Sequence, residues 1–390
     1  MTAMNVADAV SADLLAEAVS WRHHLHRHPE LAFNERQTSD FVGSQLERFG
    51  LKVHRGLAGT GVIGTLTRGT SRRSIGIRAD MDALPIREES GTAHLSSVPG
   101  VMHACGHDGH TAIALAAACV CATLPDLDGT VHFIFQPAEE NEGGGRRTVE
   151  EGLFKSFPCD SVYALHNWPG LPVGTCAARD GPMMAAFGTF EINIRGRGSH
   201  GAMPHAGTDP IIAAAQIVSA LQSIVSRNVD PLQSAVVSVT QIRSGDTWNV
   251  IPDECLIRGT TRWYEEETGN RIEERMANLT SSIAAGFGCS AAVRYERRYP
   301  ATINDPASAK LLRDVAGGTG LKVADAPPSM GGEDFAYMLR AVPGSYLWLG
   351  AARTGENPGL HSARYDFNDD ALPAGVALWV SLVRRCLARP

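Results

Sequence analysis

Residues 102–111 hold the densest group of side chains that could bind a metal ion or support catalysis. Three imidazoles (His103, His107 and His110) and one thiol (Cys105) lie within eight positions. Thiolate and imidazole ligands together suit a borderline transition metal such as Zn²⁺, Mn²⁺, Co²⁺ or Ni²⁺. The Cys-x-His spacing by itself is a weak signal, because the paired Cys-x-x-Cys of a structural zinc site is missing.

An alanine-rich run follows at residues 112–122 and has the periodicity of a buried helix. Cys105 and His107 are therefore expected near the N-terminus of that helix. There the helix dipole would lower the pKa of the thiol and favour the thiolate, the form that binds metal. For this segment alone, the alternative is a packed helix start whose histidines have no chemical role.

Further acidic and imidazole side chains follow segments with the apolar pattern of buried strands, at residues 74–78, 131–135 and 161–165. Open α/β sheets place their sites at the carboxyl ends of strands, so these groups can meet if the first and last parts of the chain form one sheet. Each group taken alone is also typical of a polar surface turn. The candidates collected in this way are Asp80, Asp82, Cys105, His107, Glu139, Glu140, His166 and His361.

The middle of the chain has a different pattern. Its segments follow the order strand, helix, strand, strand, helix and strand, at residues 188–195, 210–227, 235–242, 255–263, 266–287 and 291–297. This is the order of a ferredoxin-like α+β domain. We therefore predict an α/β protein with a mixed-sheet catalytic domain formed by residues 1–184 and 299–390, and an inserted ferredoxin-like domain formed by residues 185–298.

Two polar loops of the middle region carry further candidates. A glycine-rich loop at residues 196–207 contains His200 and His205, and a second loop at residues 246–252 contains Asn249. Glycine allows a backbone to come close to another group. An ordinary surface loop is the alternative in both cases.

The composition argues against some classes of function. The 390 residues carry a net charge of −7, which gives no reason to expect nucleic-acid binding. No run of about 18 apolar residues predicts a membrane span, and the first eight residues do not resemble a secretory signal. The eight cysteines are scattered along the chain, which suits a reducing compartment. We expect a cytoplasmic protein.

Several long motifs occur in order along the chain, namely RADMDALP, MHACGHDGHTA, QPAEE, GRGSHGAMPHAGTDPI and GGEDF. Together they resemble the amidohydrolase branch of the aminoacylase/carboxypeptidase-G metallopeptidase superfamily, which includes hippurate hydrolases and indole-acetyl-amino-acid hydrolases. The resemblance extends from about Trp21 to the C-terminal helix and is weak for substrate. It implies a metallopeptidase catalytic domain, an inserted lid or dimerisation domain, and two divalent ions (Mn, Zn, Co or Ni) per subunit.

The resemblance also implies a set of metal ligands. Cys105 would bridge the two ions. His107 and His166 would complete one ion site, and Glu140 and His361 the other. A bridging thiolate in place of the aspartate of many relatives would change the metal preference and make the site sensitive to oxidation.

Other residues receive catalytic or substrate-binding roles from the same resemblance. Glu139 would be the general base and Asp82 the acid that orients the site. His200 would reach the site of a partner subunit and stabilise the developing oxyanion, which predicts a homodimer or homotetramer. The substrate-side groups would be Asn249, His205, Arg262 and Gly332.

The activity implied is hydrolysis of N-acyl amino acids, either hippurate-like or N-acetylated, by a metal-activated water with Glu139 as base. A dipeptidase or an N-acetyl-diaminopimelate-type deacetylase is the alternative within the same chemistry. A catalytically silent metal-binding protein is a further alternative, against which the intact Glu139 argues. An amidase with Cys105 as nucleophile and His107 as base would instead form a covalent acyl-enzyme and survive chelation.

Overall fold

The computed structural model describes residues 10–140, 142–325 and 327–389. The first residues of the chain, for which no secretory signal is predicted, lie outside the described part. None of the eight cysteines, all of which are described, forms a disulfide.

The chain divides into two compact units. The first comprises Met1–Met183, Thr302–Pro327 and Asp334–Pro390, and the second comprises Met184–Ala301 and Pro328–Glu333. The short segment with Gly332 therefore groups with the second unit. The domain assignment made from the sequence stays a prediction, and each unit is described below by itself.

A mixed eight-stranded sheet forms the centre of the first unit, in the order β1-β2-β4-β3-β5-β16-β6-β15. Neighbouring strands are parallel across β4, β3, β5 and β16, whereas β1 and β2 join antiparallel. Every residue of β3 is buried, as expected of a parallel strand covered on both faces. The sheet confirms the predicted mixed α/β class. Its strands are β1 (Lys52–Leu57), β2 (Gly61–Arg68), β3 (Ser74–Asp80), β4 (Gly129–Gln136), β5 (Ser161–Pro172), β6 (Thr175–Ala177), β15 (Lys322–Val323) and β16 (Gly344–Ala352).

The helix that carries the metal motif is buried on nearly all sides. This helix, α3 (His107–Thr123), is rich in alanine, so neighbouring helices can pack close to it. At Gly375 of the C-terminal helix, an added Cβ would lie 2.6 Å from Ile113 Cδ1. The start of α3 is thereby fixed by its packing. The other helices of this unit are α1 (Ala12–Arg27), α2 (Arg36–Arg48), α4 (Gly144–Glu150), α5 (Leu153–Ser156), α8 (Pro306–Gly318), α9 (Ala336–Ala341) and α10 (Leu372–Leu387).

The second unit contains an antiparallel four-stranded sheet in the order β10-β12-β8-β13. Its elements follow one another as strand, helix, strand, strand, helix and strand, as the sequence pattern predicts. Burial alternates along β12, because one face of the sheet packs on the helices. The elements are β8 (Ala186–Arg195), α6 (Pro210–Ser223), β10 (Ala235–Arg243), β12 (Glu254–Trp263), α7 (Glu266–Gly286) and β13 (Ser290–Tyr299).

Two further two-stranded sheets pair β11 (Val250–Ile251) with β9 (Ser199–His200) and β14 (Thr302–Asn304) with β7 (Gly181–Met184). Helix α6 continues into a single π turn, and the combined segment Pro210–Asn228 is long and apolar enough to cross a membrane by length and composition alone. Its residues Ala213, Ile217 and Leu221 are fully or nearly fully buried in the core of the second unit. This burial is expected of a helix that covers a sheet.

Candidate metal centre

Three potential metal ligands from distant parts of the chain meet in the first unit. The ligand atoms of Cys105, Glu140 and His361 all lie within 4.8 Å of one another. His361 Nε2 is 3.0 Å from Glu140 Oε1. The backbone of His361 has φ +64°, which is uncommon for a non-glycine residue, and its N–H donates to the Ala104 carbonyl oxygen at 2.8 Å. The hydrogen bond to Ala104 fixes the His361 backbone in a conformation in which the imidazole points toward Glu140.

A second group lies next to the first and consists of Asp80, His107, His110 and His166, again with ligand atoms within 4.8 Å. Cys105 Sγ is 3.4 Å from His166 Nε2 and so links the two groups. The structure therefore brings the five predicted ligands into one largely buried cluster. Their ligation of metal stays a prediction at this point.

The orientation of two imidazoles fits metal binding. His107 Nδ1 lies 2.9 Å from the Asp82 carbonyl oxygen, and His166 Nδ1 lies 2.8 Å from the Asn167 carbonyl oxygen. Each Nδ1–H can donate to that carbonyl, which leaves the lone pair on Nε2. His107 Nε2 is buried and has no hydrogen-bond partner among the described residues. Metal-binding histidines are commonly fixed in this way by a carbonyl behind the ring.

His110 is placed differently from these two histidines. Its Nδ1 is 2.6 Å from Asp80 Oδ1, and its Nε2 accepts the Asn167 N–H at 2.9 Å. Both ring nitrogens are therefore engaged, and Asp80 also pairs with Arg78 at 2.7 Å. We infer that His110 supports the ligands rather than binding an ion. His110 is not among the ligands that the resemblance implies, although its spacing of three from His107 on a helix places both on one face.

The two adjacent glutamates after β4 point to different neighbours. Glu140 groups with Cys105 and His361, whereas Glu139 groups with His107 and Glu140. The Asp82 carboxylate holds both backbones, since it accepts the Glu139 N–H at 3.0 Å and the Glu140 N–H at 2.9 Å. Asp82 thus fixes the turn that places the Glu140 carboxylate in the ligand group and the Glu139 carboxylate beside it.

The electrostatics of this cluster favour a bound cation. Burial, together with the charges of Glu140, Glu139 and Asp80, raises the pKa of the Cys105 thiol well above its usual range. Burial would lower the pKa of His107, but Asp80 and Asp82 outweigh it and raise that pKa to about 10. Without a metal the site would hold protons instead, and metal binding would release them.

The expected lowering of the Cys105 pKa by the helix dipole is therefore wrong. Gly106 caps α3 with φ +83°, so Cys105 lies outside the helix. An added Cβ at Gly106 would lie 2.5 Å from Asn167 Nδ2, which explains the need for glycine there. The thiol is buried beside carboxylates, and burial together with their charges raises its pKa instead of lowering it.

In the second unit, two candidate residues lie on a two-stranded ribbon. Strands β9 and β11 pair His200 with Val250, and the Gly201 N–H donates to the Asn249 carbonyl oxygen at 2.7 Å. His200 and Asn249 are both exposed. His200 Nδ1 accepts the Ala202 N–H at 3.0 Å, so the proton of the neutral ring lies on Nε2. The ring can therefore donate a hydrogen bond from its exposed side.

The remaining candidates also lie in the second unit. Exposed His205 is part of the 3₁₀ turn Pro204–Ala206. The Arg262 guanidinium carbon is 4.5 Å from the Phe187 ring centre, and an added Cβ at Gly332 would lie 2.6 Å from that ring. Burial lowers the pKa of Arg262, and in the described part of the chain no carboxylate pairs with it.

Residues 76–385 match the model of peptidase family M20/M25/M40. The chain belongs to this family. The assignment confirms the predicted resemblance to metallopeptidase-type amidohydrolases and the prediction of a hydrolase.

M20-family relatives cover nearly the whole chain. The N-acetyl-L-cysteine deacetylase of Bacillus subtilis is 43% identical over 335 residues, which are 86% of this chain and 80% of the relative. The hippurate hydrolase of Campylobacter jejuni is 37% identical over 381 residues, 96% of this chain and 98% of the relative. A solved structure of a Bacillus subtilis dinuclear metal-binding M20 peptidase is 35% identical, with a TM-score of 0.84 and coverage of 97% and 99%.

Proposed function

We propose that this M20-family protein is a metal-dependent amidohydrolase that cleaves N-acyl amino acids and binds two divalent ions (Mn, Zn, Co or Ni) per subunit. The observation that supports this most strongly is the Cys105, Glu140 and His361 group, with Glu139 beside it. The names of the deacetylase and hippurate hydrolase relatives agree with this substrate class. A cytoplasmic location is part of the proposal, since the eight cysteines are free.

The donor set fits two ions with one shared ligand. Cys105 would be shared, because its sulfur contacts His166 and groups with Glu140 and His361. His107 and His166 would complete one position. Bound ions would polarise the substrate carbonyl and lower the pKa of the attacking water.

Glu139 would move the proton in this reaction. Its carboxylate lies next to the ligand group, and Asp82 fixes its backbone. In the proposal Glu139 accepts a proton from the attacking water and later passes it to the leaving amine, as a general base and then acid. Glu140, fixed by the same Asp82, is committed to the ligand group.

The candidate residues of the second unit would act on the substrate. His200, with its Nε2–H free to donate, would stabilise the oxyanion that forms on the amide oxygen. Arg262, without a carboxylate partner among the described residues, would bind the substrate carboxylate, with Asn249, His205 and Gly332 nearby in the bound complex. We propose a homodimer or homotetramer in which His200 acts in the partner's site. Light scattering that shows an active monomer would contradict this.

A panel of N-acyl amino acids assayed with several metals tests the proposal. Hippurate, N-acetylcysteine, N-acetyl-diaminopimelate and a dipeptide would each be supplied to enzyme loaded with Mn²⁺, Co²⁺, Zn²⁺ or Ni²⁺, and amine release measured. Turnover of an N-acyl amino acid in preference to the dipeptide is expected. Turnover of the dipeptide alone would favour the alternative function.

The thiol-nucleophile alternative is disfavoured by the geometry of Cys105. Its pKa is raised, and its imidazole neighbour is His166 rather than His107. A nucleophilic cysteine needs a lowered pKa or a strong base in contact, and burial lowers the pKa of His166 well below its usual range. Detection of an acyl-enzyme by mass spectrometry would reinstate that alternative.

A further inference from the structure

Three consecutive backbone N–H groups of the turn after β4 donate to buried carboxylates. Those of Glu139 and Glu140 donate to Asp82. The Ala138 N–H donates to Glu35 Oε1 at 2.9 Å. Asp82 lies in a recognised motif, whereas Glu35 comes from the segment before α2, and neither the sequence motifs nor the mechanism above gives it a role.

Ala138 needs such a contact because its backbone is strained. Its φ is +56°, in the left-handed region that favours glycine. The residue is fully buried, and its carbonyl oxygen accepts the Gly144 N–H at 2.9 Å. Relaxation of Ala138 to a negative φ would rotate the next peptide unit, which carries the Glu139 N–H. The direction of the Glu139 side chain therefore depends on the conformation of Ala138.

The surroundings of Glu35 indicate no role apart from its hydrogen bonds to Ala138 and Thr60. Its exposure is 0%, and its second oxygen accepts the Thr60 hydroxyl at 2.7 Å. No cationic side chain pairs with it among the described residues. Burial, with a further contribution from Asp82, raises its pKa to about 7. Burial of an unpaired carboxyl group costs free energy. This cost indicates that Glu35 has a role at Ala138.

We propose that Glu35 is a positioning residue that holds the general base Glu139 in place through the Ala138 N–H. The inference rests on the proposed function, in which Glu139 moves the proton. Asp82 fixes the turn from one side by two amides, and Glu35 fixes it from the other by the amide at the strained position. Glu35 itself touches neither the substrate nor a metal ligand.

The test compares Glu35→Ala and Glu35→Gln with the matched control Glu30→Ala. Glu30 lies in the same segment, and its carboxylate likewise accepts two hydrogen bonds, from the Gln37 and Thr38 N–H groups at 3.1 and 2.9 Å. These side-chain contacts are at the start of α2, and the substitution leaves the backbone of residue 30 in place. Removal of the Glu35 or the Glu30 carboxylate breaks a similar number of hydrogen bonds, but only Glu35 is bonded to Ala138.

We expect Glu35→Ala to lower kcat by about 10- to 100-fold, as a small misplacement of a catalytic group does. KM and the metal content should stay near wild type, because Asp82 still holds Glu140. Glu35→Gln should retain most of kcat, since its amide oxygen can accept the same N–H, and Glu30→Ala should retain kcat. An unchanged kcat in Glu35→Ala would overturn the proposal. So would a Glu35→Gln variant as slow as Glu35→Ala, or an equal loss in Glu30→Ala.

A crystal structure of Glu35→Ala supplies a readout that needs no substrate. We expect Ala138 to leave the positive φ region and the Glu139 carboxylate to move relative to wild type. An unmoved turn would overturn the inference even if the enzyme hydrolyses N-acyl amino acids. A moved turn would support it even if the substrate panel shows no turnover, so the two failures can be told apart.

Discussion

In the first unit, the exposure of His107 is 0%, that of Asp82 is 1% and that of Glu139 is 7%. In the second unit, His200 and Asn249 are exposed on a short ribbon. His107 and Asp82 are held by contacts with distant parts of the first unit, whereas the His200 ring contacts Ala202, two residues away. The first set is fixed by the core of its unit, and the second lies on the surface of its own unit.

This difference predicts how substitutions in the two units should behave. Changes to the buried cluster should affect metal content, turnover and stability together, because each side chain has several roles there. Changes to the exposed ribbon should affect turnover alone, since surface substitutions seldom change stability by more than about 0.5 kcal/mol. The predictions below test this contrast, beginning with the largest effect on turnover.

Removal of divalent ions should abolish turnover completely. Chelation leaves the carboxylates near Cys105 without their cation, so the melting temperature should fall as well. Re-addition of Mn²⁺, Co²⁺, Zn²⁺ or Ni²⁺ should restore both, as measured by amine release and by thermal denaturation. Full turnover by metal-free enzyme, verified by elemental analysis, would contradict the assignment of the first unit.

Glu139→Gln should reduce kcat by about 10²- to 10⁴-fold, the usual contribution of a general base. The metal content should be retained, because the predicted ligand of this turn is Glu140. The matched variant Glu140→Gln should lose metal as well as activity. If the two variants lose metal equally, the division of roles between these neighbouring glutamates is wrong.

His200→Ala should lower kcat by about 10²- to 10³-fold, as removal of an oxyanion donor does. Its melting temperature should match wild type, since the side chain is exposed. Co-expression with Glu139→Gln adds a test of the proposed assembly. A hybrid dimer would contain one site with both residues intact, so activity should return. Absence of any recovery in verified hybrids would place His200 in its own subunit's site or outside the mechanism.

The sequence predicted those parts of the site that depend on local spacing. The helix after residue 106, the buried strands and the polar groups at their ends follow from periodicity and strand topology. The hydrogen bonds that hold these groups could not be predicted from local spacing. The bond from Ala138 to Glu35 joins segments about a hundred residues apart in sequence, and nothing in the spacing pairs that carboxylate with that amide.

The error at Cys105 has the same physical origin. A helix N-terminus is a local feature and was predicted, but burial raises the pKa of the thiol, and the charges of Glu140, Glu139 and Asp80 raise it further. These carboxylates arrive from two other strands. Electrostatics therefore depends on the full set of neighbours, of which local sequence reveals only a few.

The smallest effect on turnover is expected at His26, a buried histidine of the first unit that lies outside the ligand group. Burial would lower its pKa, but Asp108 at 2.8 Å and Glu88 at 3.1 Å raise that pKa to about 9. Because the folded pKa exceeds the unfolded value of 6.5, this stabilisation is complete below about pH 6.5 and is lost as the pH rises to about 9. The free energy of unfolding, measured by urea titration, should differ between wild type and His26→Gln by about 3 kcal/mol more at pH 6 than at pH 9.5. A constant gap for His26→Gln across this range would show that the pKa of this imidazole is the same in the folded and the unfolded protein, and the stabilising role given to its contacts with Asp108 and Glu88 would then be wrong.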